Sequence, residues 1–335
     1  MKILNVITQK GGTGKSETVK NLAYGLSSKG LKTLVVDLDP QANTSATILK
    51  LHKSISMINL DEMINAFEDK QNQSQEPNGL EGIEVLHSYM NKQINGYDVS
   101  DVLLDPTLME NAIKKTVYQN LDILPASSKL IETDMKLKTN CMKSDTRLDI
   151  ALQKVANKYD VCIIDNSPFI NAITINGVTA CKNEGDLIII PIKIDSGSLE
   201  GVDVTLQQML EILSYSSFLS FDFKLLFTMK NRTAVENKVE NTMRKLFPER
   251  CFNSVIRYQA KPIITASNER QVLLEGNCKS GVAQDYISLV DEIYNTFWYI
   301  DILSITHFLY HVNIIPRLNK KIYKFINFPK TKTFP

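Results

Sequence analysis

Seven residues near the start of the chain, Lys10-Gly-Gly-Thr-Gly-Lys-Ser16, carry the groups that bind a phosphate chain. Glycines at Gly11, Gly12 and Gly14 let the backbone curl so that several N–H groups point at one anion. Lys15 can reach the β- and γ-phosphates, and the Ser16 hydroxyl can hold Mg²⁺. A helix that begins here would place its positive dipole end under the same phosphates. The loop therefore predicts a site for a nucleoside triphosphate with Mg²⁺.

Lys10 is a second lysine, ahead of the glycines, and a plain phosphate loop does not need it. The loop already has Lys15 for its own phosphates. Lys10 can therefore serve a phosphate held by another subunit, which would make the nucleotide part of a dimer interface. The alternative is an ordinary solvated surface lysine.

Two acidic motifs follow apolar runs, Asp37-Leu-Asp39-Pro-Gln after residues 33–36 and Asp165 after residues 161–164. Asp165 would orient metal-bound water from the outer shell of the ion. Asp37 would support the loop or the metal network, so Ser16, Asp37 and Asp165 are the predicted metal-site residues. The alternative for Asp39 and Asp165 is a turn residue at a strand end.

Apolar runs alternate with helical periodicity along the chain. A parallel sheet covered on both faces explains this alternation, so we predict an α/β fold with a mostly doubly wound sheet. Right-handed crossovers would bring the loops at 10–16, 37–41 and 165–168 to one carboxyl edge. Strands are predicted at 3–8, 33–37, 121–125, 161–165, 187–191, 224–229 and 254–256, and helices from Lys15 to Gly30 and at 201–214, 235–245 and 281–297.

We predict one domain over residues 1–297, with a polar surface insertion at about 66–80. The remainder, 298–335, is aromatic and apolar and then basic. Asp301, His307 and His311 interrupt its apolar run, which argues against a spanning helix. A helix lying on a membrane or on another protein, and a loosely ordered extension, both remain open.

The composition is that of an ordinary globular protein, with a formal net charge of +1 and 43% apolar residues. Because there is no overall basic excess, any surface for nucleic acid must be a local patch. The five cysteines show no metal-ligand spacing, which argues against a metal cluster or a disulfide framework and suits a reducing cytoplasm.

Taken together, the phosphate loop with Lys10, the Asp37-Leu-Asp-Pro-Gln41 motif and Asp165 resemble the ParA/MinD branch of P-loop ATPases. Within this deviant Walker A group, the chain is most similar to the ParA, or Soj-like, partition ATPases. The resemblance runs from about Met1 to Phe297 and includes the phrases at 36–45, 120–126 and 256–260. The chain departs from the family at Thr13, Glu17 and Asn166-Ser-Pro168, which affects switch geometry and turnover more than nucleotide binding.

The resemblance implies ATP and Mg²⁺ as cofactors, with Lys10, Lys15 and Asp39 as catalytic residues. Asp39 would polarise the attacking water or order the metal shell, and Lys10 would cross a homodimer interface to the partner's phosphates. Asn231 is a candidate for contact with the adenine edge, although a turn asparagine is an equal alternative. The residues expected to bind the nucleotide are Gly11, Gly12, Thr13, Gly14, Lys15, Ser16, Glu17 and Asn231.

The resemblance also implies nonspecific DNA binding through basic residues of C-terminal helices. Arg244, Lys245 and Arg257 are the candidates here, although interleaved glutamates allow a merely solvated helix face. The leading hypothesis is a cytoplasmic, nucleoid-associated ATPase that partitions plasmid or chromosomal DNA. Its ATP-bound dimer would coat DNA, and a ParB-like centromere-binding partner would stimulate hydrolysis and release it.

Two alternatives stay open, and a third is disfavoured. The first is a MinD-like positioning ATPase that cycles on a membrane, which would need an amphipathic basic C-terminal helix. The second is a scaffold that binds ATP without hydrolysing it. The third, a cluster-carrying relative of the nitrogenase iron protein, is disfavoured because no cysteine follows Asp165 in Asn166-Ser-Pro-Phe169.

Overall fold

The computed structural model describes residues 1–51, 60–73, 82–85, 94–140, 143–194, 203–207, 211, 222–231 and 233–299. Its core is a seven-stranded sheet in the order β3-β4-β2-β5-β1-β6-β7. All neighbours are parallel except β3, which runs antiparallel to β4. The strands are Lys2–Val6 (β1), Thr33–Leu38 (β2), Lys114–Lys115 (β3), Leu121–Leu124 (β4), Val161–Asn166 (β5), Leu187–Lys193 (β6) and Asp222–Thr228 (β7).

Helices connect and flank these strands, and the predicted α/β class is confirmed. Strands β2, β4 and β5 are buried along their whole length, as parallel strands covered on both faces must be. The helices are Lys15–Ser28 (α1), Asn43–Ile48 (α2), Leu60–Gln73 (α3), Val99–Leu104 (α4), Met109–Ala112 (α5), Leu130–Asn140 (α6), Arg147–Gln153 (α7), Ala172–Thr179 (α8), Ala234–Leu246 (α9), Ala260–Asn268 (α10), Leu273–Gly276 (α11) and Gly281–Tyr294 (α12), with a 3-10 turn at Pro106–Leu108.

Helix α1 carries the phosphate loop at its start, and its sequence explains both ends. Gly14 precedes it in a left-handed conformation (φ 85°), and Gly30 follows it at φ 94°. Its buried face consists of Val19, Leu22, Ala23 and Leu26, at the helical spacing predicted. In mid-helix, Gly25 permits a close approach: a Cβ built there would lie 2.4 Å from Val290 Cγ2 of α12.

Strand β5 lies between β1 and β2, which brings the three chemical motifs together. Val6 of β1 and Asp37 of β2 are both register partners of Asp165. The phosphate loop follows β1, Asp37 and Asp39 lie at or just after the end of β2, and Asp165 lies near the end of β5. The predicted meeting of these segments at one carboxyl edge is confirmed.

The two edges of the sheet differ from the prediction. At one edge the short antiparallel strand β3 was missed, because two lysines carry no strand signal. At the other, the predicted strand at 254–256 is wrong. The segment 250–258 instead lies along β7 through single hydrogen bonds, among them Ile256 N–H to the Phe227 carbonyl at 2.8 Å and Lys230 N–H to the Ile256 carbonyl at 3.0 Å.

Three predicted segments lie partly outside the described residues. Of the predicted helix at 201–214, the structure describes only 203–207 and 211, which are helical. Positions 66–73 of the polar insertion form the end of helix α3, so this part is helical, and 74–81 are outside the described part. The chain divides into two compact units, 1–290 and 291–335. Of the second, only 291–299 are described, as the end of α12 and a π-helical turn over Asn295–Tyr299.

The membrane alternative depended on the segment from 298 onward, of which 300–335 lie outside the described residues. Among the residues that are described, every helix is too short or too polar to cross a bilayer. The domain boundary at 297 stays a prediction.

Candidate nucleotide-binding site

The phosphate loop is shaped by its glycines and tied to the far side of the sheet. Gly12 and Gly14 have φ values of 69° and 85°, which a residue with a side chain rarely adopts. The hydroxyl of Thr228, at the end of β7, donates to the Thr13 carbonyl at 2.8 Å. The Thr13 hydroxyl in turn donates to the Lys10 carbonyl at 3.4 Å. The loop is therefore held open in a curled shape that suits an anion.

Lys15 lies inside this curl. Its Nζ donates to the Lys10 carbonyl at 3.4 Å, and the residue is only 7% exposed. Burial lowers the pKa of the amine, and the charges of Asp165 and Asp39 oppose that shift. A buried cation beside a glycine loop is a strong partner for a phosphate oxygen, because the amine has already lost much of its water.

The two carboxylate oxygens of Asp165 differ in their hydrogen bonding. The residue is fully buried, and its Oδ2 accepts a hydrogen bond from the Thr44 hydroxyl at 2.6 Å. Its Oδ1 is buried without a hydrogen-bond partner among the described residues. Burial raises the pKa of this carboxyl, while the Thr44 and Ser16 hydroxyls and Lys15 act to lower it. The arrangement brings Ser16 and Asp165 together, as the sequence predicted.

Asp37 is also fully buried, but both of its carboxylate oxygens accept hydrogen bonds. Oδ2 accepts from the Ser45 N–H at 2.9 Å and the Ser45 hydroxyl at 2.7 Å, and Oδ1 accepts from the Asp39 N–H at 3.1 Å. Burial and the neighbouring Asp165 raise the pKa of this carboxyl. These contacts support the interpretation of Asp37 as a residue that braces the loop rather than one that ligates a metal directly.

Asp39 lies at the mouth of the site and is half-buried. Its Oδ1 accepts the Gln41 N–H at 2.8 Å, which forms an Asx turn leading towards α2. Its charge acts on Lys15 and on Asp165, so it lies within electrostatic reach of both. The Asx turn therefore fixes the Asp39 side chain at the mouth of the site, within electrostatic reach of Lys15 and Asp165.

The donor set fits Mg²⁺ bound jointly with a nucleotide. An unpartnered buried carboxylate oxygen near a hydroxyl is suited to a hard cation and its water ligands. Within the described residues, no group of three or more His, Cys, Asp or Glu side chains could hold a metal alone. Phosphate oxygens would have to complete the coordination, as is usual for Mg²⁺ at phosphate sites.

Two predicted nucleotide contacts have other partners. The Glu17 carboxylate pairs with Lys20 at 2.7 Å and accepts from Asn21 at 2.8 Å, so its side chain is held along α1. The exposed Asn231 side chain donates to Glu236 at 3.1 Å. Contacts of Glu17 through its backbone and of Asn231 with adenine both stay predictions.

Sequence reasoning missed four side chains that shape the site: Thr44, Ser45, Asn166 and Thr228. Thr44 and Ser45 hold the two buried aspartates. Asn166 donates from Nδ2 to the Val6 carbonyl at 3.1 Å and to the Asn5 side chain, which joins the ends of β5 and β1. The only available signal was the position of each of these polar residues beside a recognised motif, which does not reveal its partner.

Beside the site lies a cleft of about 430 Å³ lined partly by Asp39, Ile131 and Phe169. Phe169 and Ile131 are 72% and 61% exposed, and Met135, also on α6, is 59% exposed. Large apolar side chains grouped this way on a surface often mark a contact with another molecule.

The three predicted DNA contacts differ in how far they are neutralised. Arg244 donates to Glu240 at 2.9 Å and stacks over Phe227 at 5.2 Å from the ring centre. Arg257 makes two hydrogen bonds of 2.7 Å to Asp285, which raise the pKa of the guanidinium. Lys245, near the end of α9, is exposed. DNA binding by these residues stays a prediction.

The chain is similar to known proteins over most of its length. The AAA domain family matches residues 1–219 of the chain. The chain is 26% identical over 293 residues to the sporulation initiation inhibitor protein Soj of Bacillus subtilis, which covers 87% of this chain and 98% of Soj. It is 24% identical over 296 residues to the chromosome partitioning protein ParA of Caulobacter vibrioides, covering 88% and 94% of the two chains.

A solved structure has the same fold. It is a putative plasmid partition protein from Borrelia burgdorferi bound to AMPPNP, with a TM-score of 0.60 and 18% identity. The match covers 88% of this chain and 98% of that one.

Proposed function

We propose that this chain, which belongs to the AAA domain family and is a ParA/Soj-like P-loop ATPase, uses ATP and Mg²⁺ to partition DNA. The observation that carries the ATPase proposal is the meeting of the curled loop, the buried Lys15 and the unpartnered Oδ1 of Asp165 at one edge of the sheet. The name of the Caulobacter relative and that of the Borrelia neighbour support the partition role.

The site's own residues have distinct tasks in hydrolysis. Phosphoryl transfer depends mainly on positioning and on charge stabilisation. The loop N–H groups and Lys15 hold the β- and γ-phosphates and stabilise the charge that develops there. Ser16 and Asp165 would hold Mg²⁺ together with its water ligands, and the ion would supply charge neutralisation at the phosphates when bound. Asp39, half-exposed at the mouth, orients the attacking water.

ATP also joins two copies of the chain. Lys10 lies directly before the loop and reaches the phosphates of the partner subunit, so that dimerisation depends on nucleotide. The exposed apolar residues Phe169 and Ile131 support this, because they line the same cleft as Asp39, on a face that a second copy would cover. Hydrolysis removes the shared phosphate contacts and releases the dimer.

The ATP-bound dimer binds DNA without sequence preference, and a ParB-like centromere-binding protein stimulates its turnover. This places the protein in the cytoplasm on the nucleoid. Lys245 on α9 and the exposed Lys261 on α10 are side chains that support phosphate contact on this surface.

The proposal is tested with the purified full chain in two assays. Light scattering should report a dimer with ATP and Mg²⁺ and a monomer with ADP, and DNA should co-sediment only with the ATP form. Lys10→Ala should keep nucleotide binding and lose the dimer. Lys32→Ala, which changes an exposed lysine at the amino end of β2, opposite to the end that carries Asp37, should retain both.

A chain that dimerises with ATP but shows no turnover with DNA present would instead be a nonhydrolysing scaffold. A Lys10→Ala variant that dimerises like the wild type would contradict the shared pocket.

A further inference from the structure

Two neighbouring hydroxyls at the start of α2 each hold one of the buried aspartates. Thr44 donates to Asp165 Oδ2 at 2.6 Å, across 121 residues of sequence. Ser45 donates to Asp37 Oδ2 at 2.7 Å, and its oxygen also accepts the Ala126 N–H at 2.9 Å. Thr44, Ser45 and both aspartates are fully buried. The start of α2 is thus attached to β2, β5 and the segment after β4.

The turn before α2 determines where these hydroxyls lie. Asp39 accepts the Gln41 N–H with its side chain and the Ala42 N–H with its carbonyl. Ala42 then takes a left-handed conformation (φ 50°), and α2 begins at Asn43. Because the turn starts at the catalytic Asp39 and ends at Thr44, the position of one is coupled to the position of the other.

Because the Thr44 hydroxyl binds only one oxygen of Asp165, the other oxygen can accept a hydrogen bond from a ligand. With Oδ2 bound, the carboxylate cannot rotate freely, and the buried Oδ1 is the oxygen without a partner in the described part of the chain. The Ser16 hydroxyl lies near the same carboxylate. A fixed acceptor oxygen beside a metal-binding hydroxyl is what an outer-shell contact to Mg²⁺-bound water requires.

We propose that Thr44 is a positioning residue that aims Oδ1 of Asp165 at the water shell of the bound Mg²⁺. This inference rests on the proposed function, since it assumes a Mg²⁺–nucleotide complex at Ser16. A second interpretation is purely structural: the hydroxyl only satisfies a buried carboxylate. Both predict lower stability when the hydroxyl is lost, but only positioning predicts a change in the Mg²⁺ dependence of nucleotide binding.

The test uses Thr44→Val, which removes the hydroxyl and keeps the shape, and Thr44→Ser, which keeps the hydroxyl. The matched control is Thr47→Val. Thr47 is a buried threonine on the same helix, and its hydroxyl donates only to the Asn43 carbonyl at 3.0 Å among the contacts described. The readout is binding of a fluorescent, slowly hydrolysed ATP analogue to the full chain, titrated with Mg²⁺ and repeated in EDTA.

Thr44→Val should raise the Mg²⁺ concentration for half-maximal binding about tenfold, because the outer-shell carboxylate of Asp165 would lose the hydrogen bond that fixes its orientation. Its affinity for the analogue in EDTA should equal that of the wild type, and Thr44→Ser and Thr47→Val should follow the wild-type Mg²⁺ curve. If thermal melting shows that Thr44→Val does not fold, Thr44→Ala against Thr44→Ser makes the same comparison.

Equal Mg²⁺ midpoints for the wild type and the variant without the hydroxyl would overturn the inference. So would an equal shift in Thr44→Ser, because the hydroxyl would then be irrelevant. Failure of the proposed function looks different: the wild-type chain itself would bind the analogue without any dependence on Mg²⁺.

Discussion

Charged side chains are arranged differently at the carboxyl edge of the sheet and on the surface around helices α9 and α10. At the edge, buried polar groups are held so that a lysine and one carboxylate oxygen still face the loop. On the surface, Arg244 and Arg257 are already paired with Glu240 and Asp285. A cation that faces a ligand space can bind an anion, whereas a cation paired with a carboxylate of its own chain is already neutralised.

The largest effect should follow from removing the cation inside the loop. Lys15→Ala should weaken ATP binding roughly 30- to 160-fold, since charge-assisted contacts to phosphate are worth roughly 2–3 kcal/mol. Calorimetric titration measures this. Lys20→Ala, which removes a lysine that pairs with Glu17 on the same helix, is the control and should bind ATP normally. Near-normal affinity in the Lys15 variant would show that this loop does not bind the phosphates of ATP.

Asp39→Ala should separate binding from turnover. Because Asp39 is placed to orient water rather than to hold phosphate, the variant should bind ATP and hydrolyse it about 100-fold more slowly. Phosphate release measures turnover, and light scattering should show a dimer that persists with ATP. Asp61→Ala, an exposed acid at the start of α3, should behave as the wild type. A dimer that dissociates as fast as the wild type would count against the hydrolytic role.

DNA binding by the α9 surface is tested by comparing two adjacent residues, Arg244 and Lys245. Lys245→Ala should weaken DNA binding several-fold and reduce its salt dependence by about one phosphate contact. Arg244→Ala should have the smaller effect, because its charge is already neutralised by Glu240. Gel shifts at several salt concentrations measure both, with Lys136→Ala on α6 as the control. Equal losses in the two variants would show that the Glu240 pair opens on DNA.

The smallest effect concerns stability. Burial and Asp165 raise the pKa of Asp37 above its ordinary value of 3.8, so the folded state binds a proton that the unfolded state has lost. The contribution of Asp37 to the stability of the nucleotide-free protein should therefore be complete below about pH 4, and it should be lost as the pH rises towards neutral. Asp37→Asn, which has no carboxyl proton to lose, should flatten this fall.

Urea unfolding between pH 5 and 8 measures that slope, with the exposed Glu184→Gln as the control. A wild-type curve that rises over this interval would show that the buried carboxylates are stabilised in their charged form.

The sequence predicted the edge better than the surface, for a physical reason. The loop, Asp37, Asp39 and Asp165 follow strands directly, so local pattern and parallel topology are enough to bring them together. Thr44, Ser45 and Thr228 were missed, because their roles depend on partners up to 215 residues away. The pairing of Arg257 with Asp285 is equally invisible in a count of basic residues. Strand β3 was missed because an edge strand needs little apolar sequence. The strand at 254–256 was predicted wrongly because its apolar residues pack beside β7 while the backbone makes only single hydrogen bonds to it.

The way the sheet ends has a consequence for how copies of this chain can meet. One border is a two-residue antiparallel strand of lysines, and the other is lined by residues 250–258. Short charged borders and covered borders discourage strand-to-strand growth, which is slow to reverse. The proposed self-association is thereby directed to loops and side chains of the described region, where contacts can form and dissolve within one cycle of the proposed nucleotide turnover.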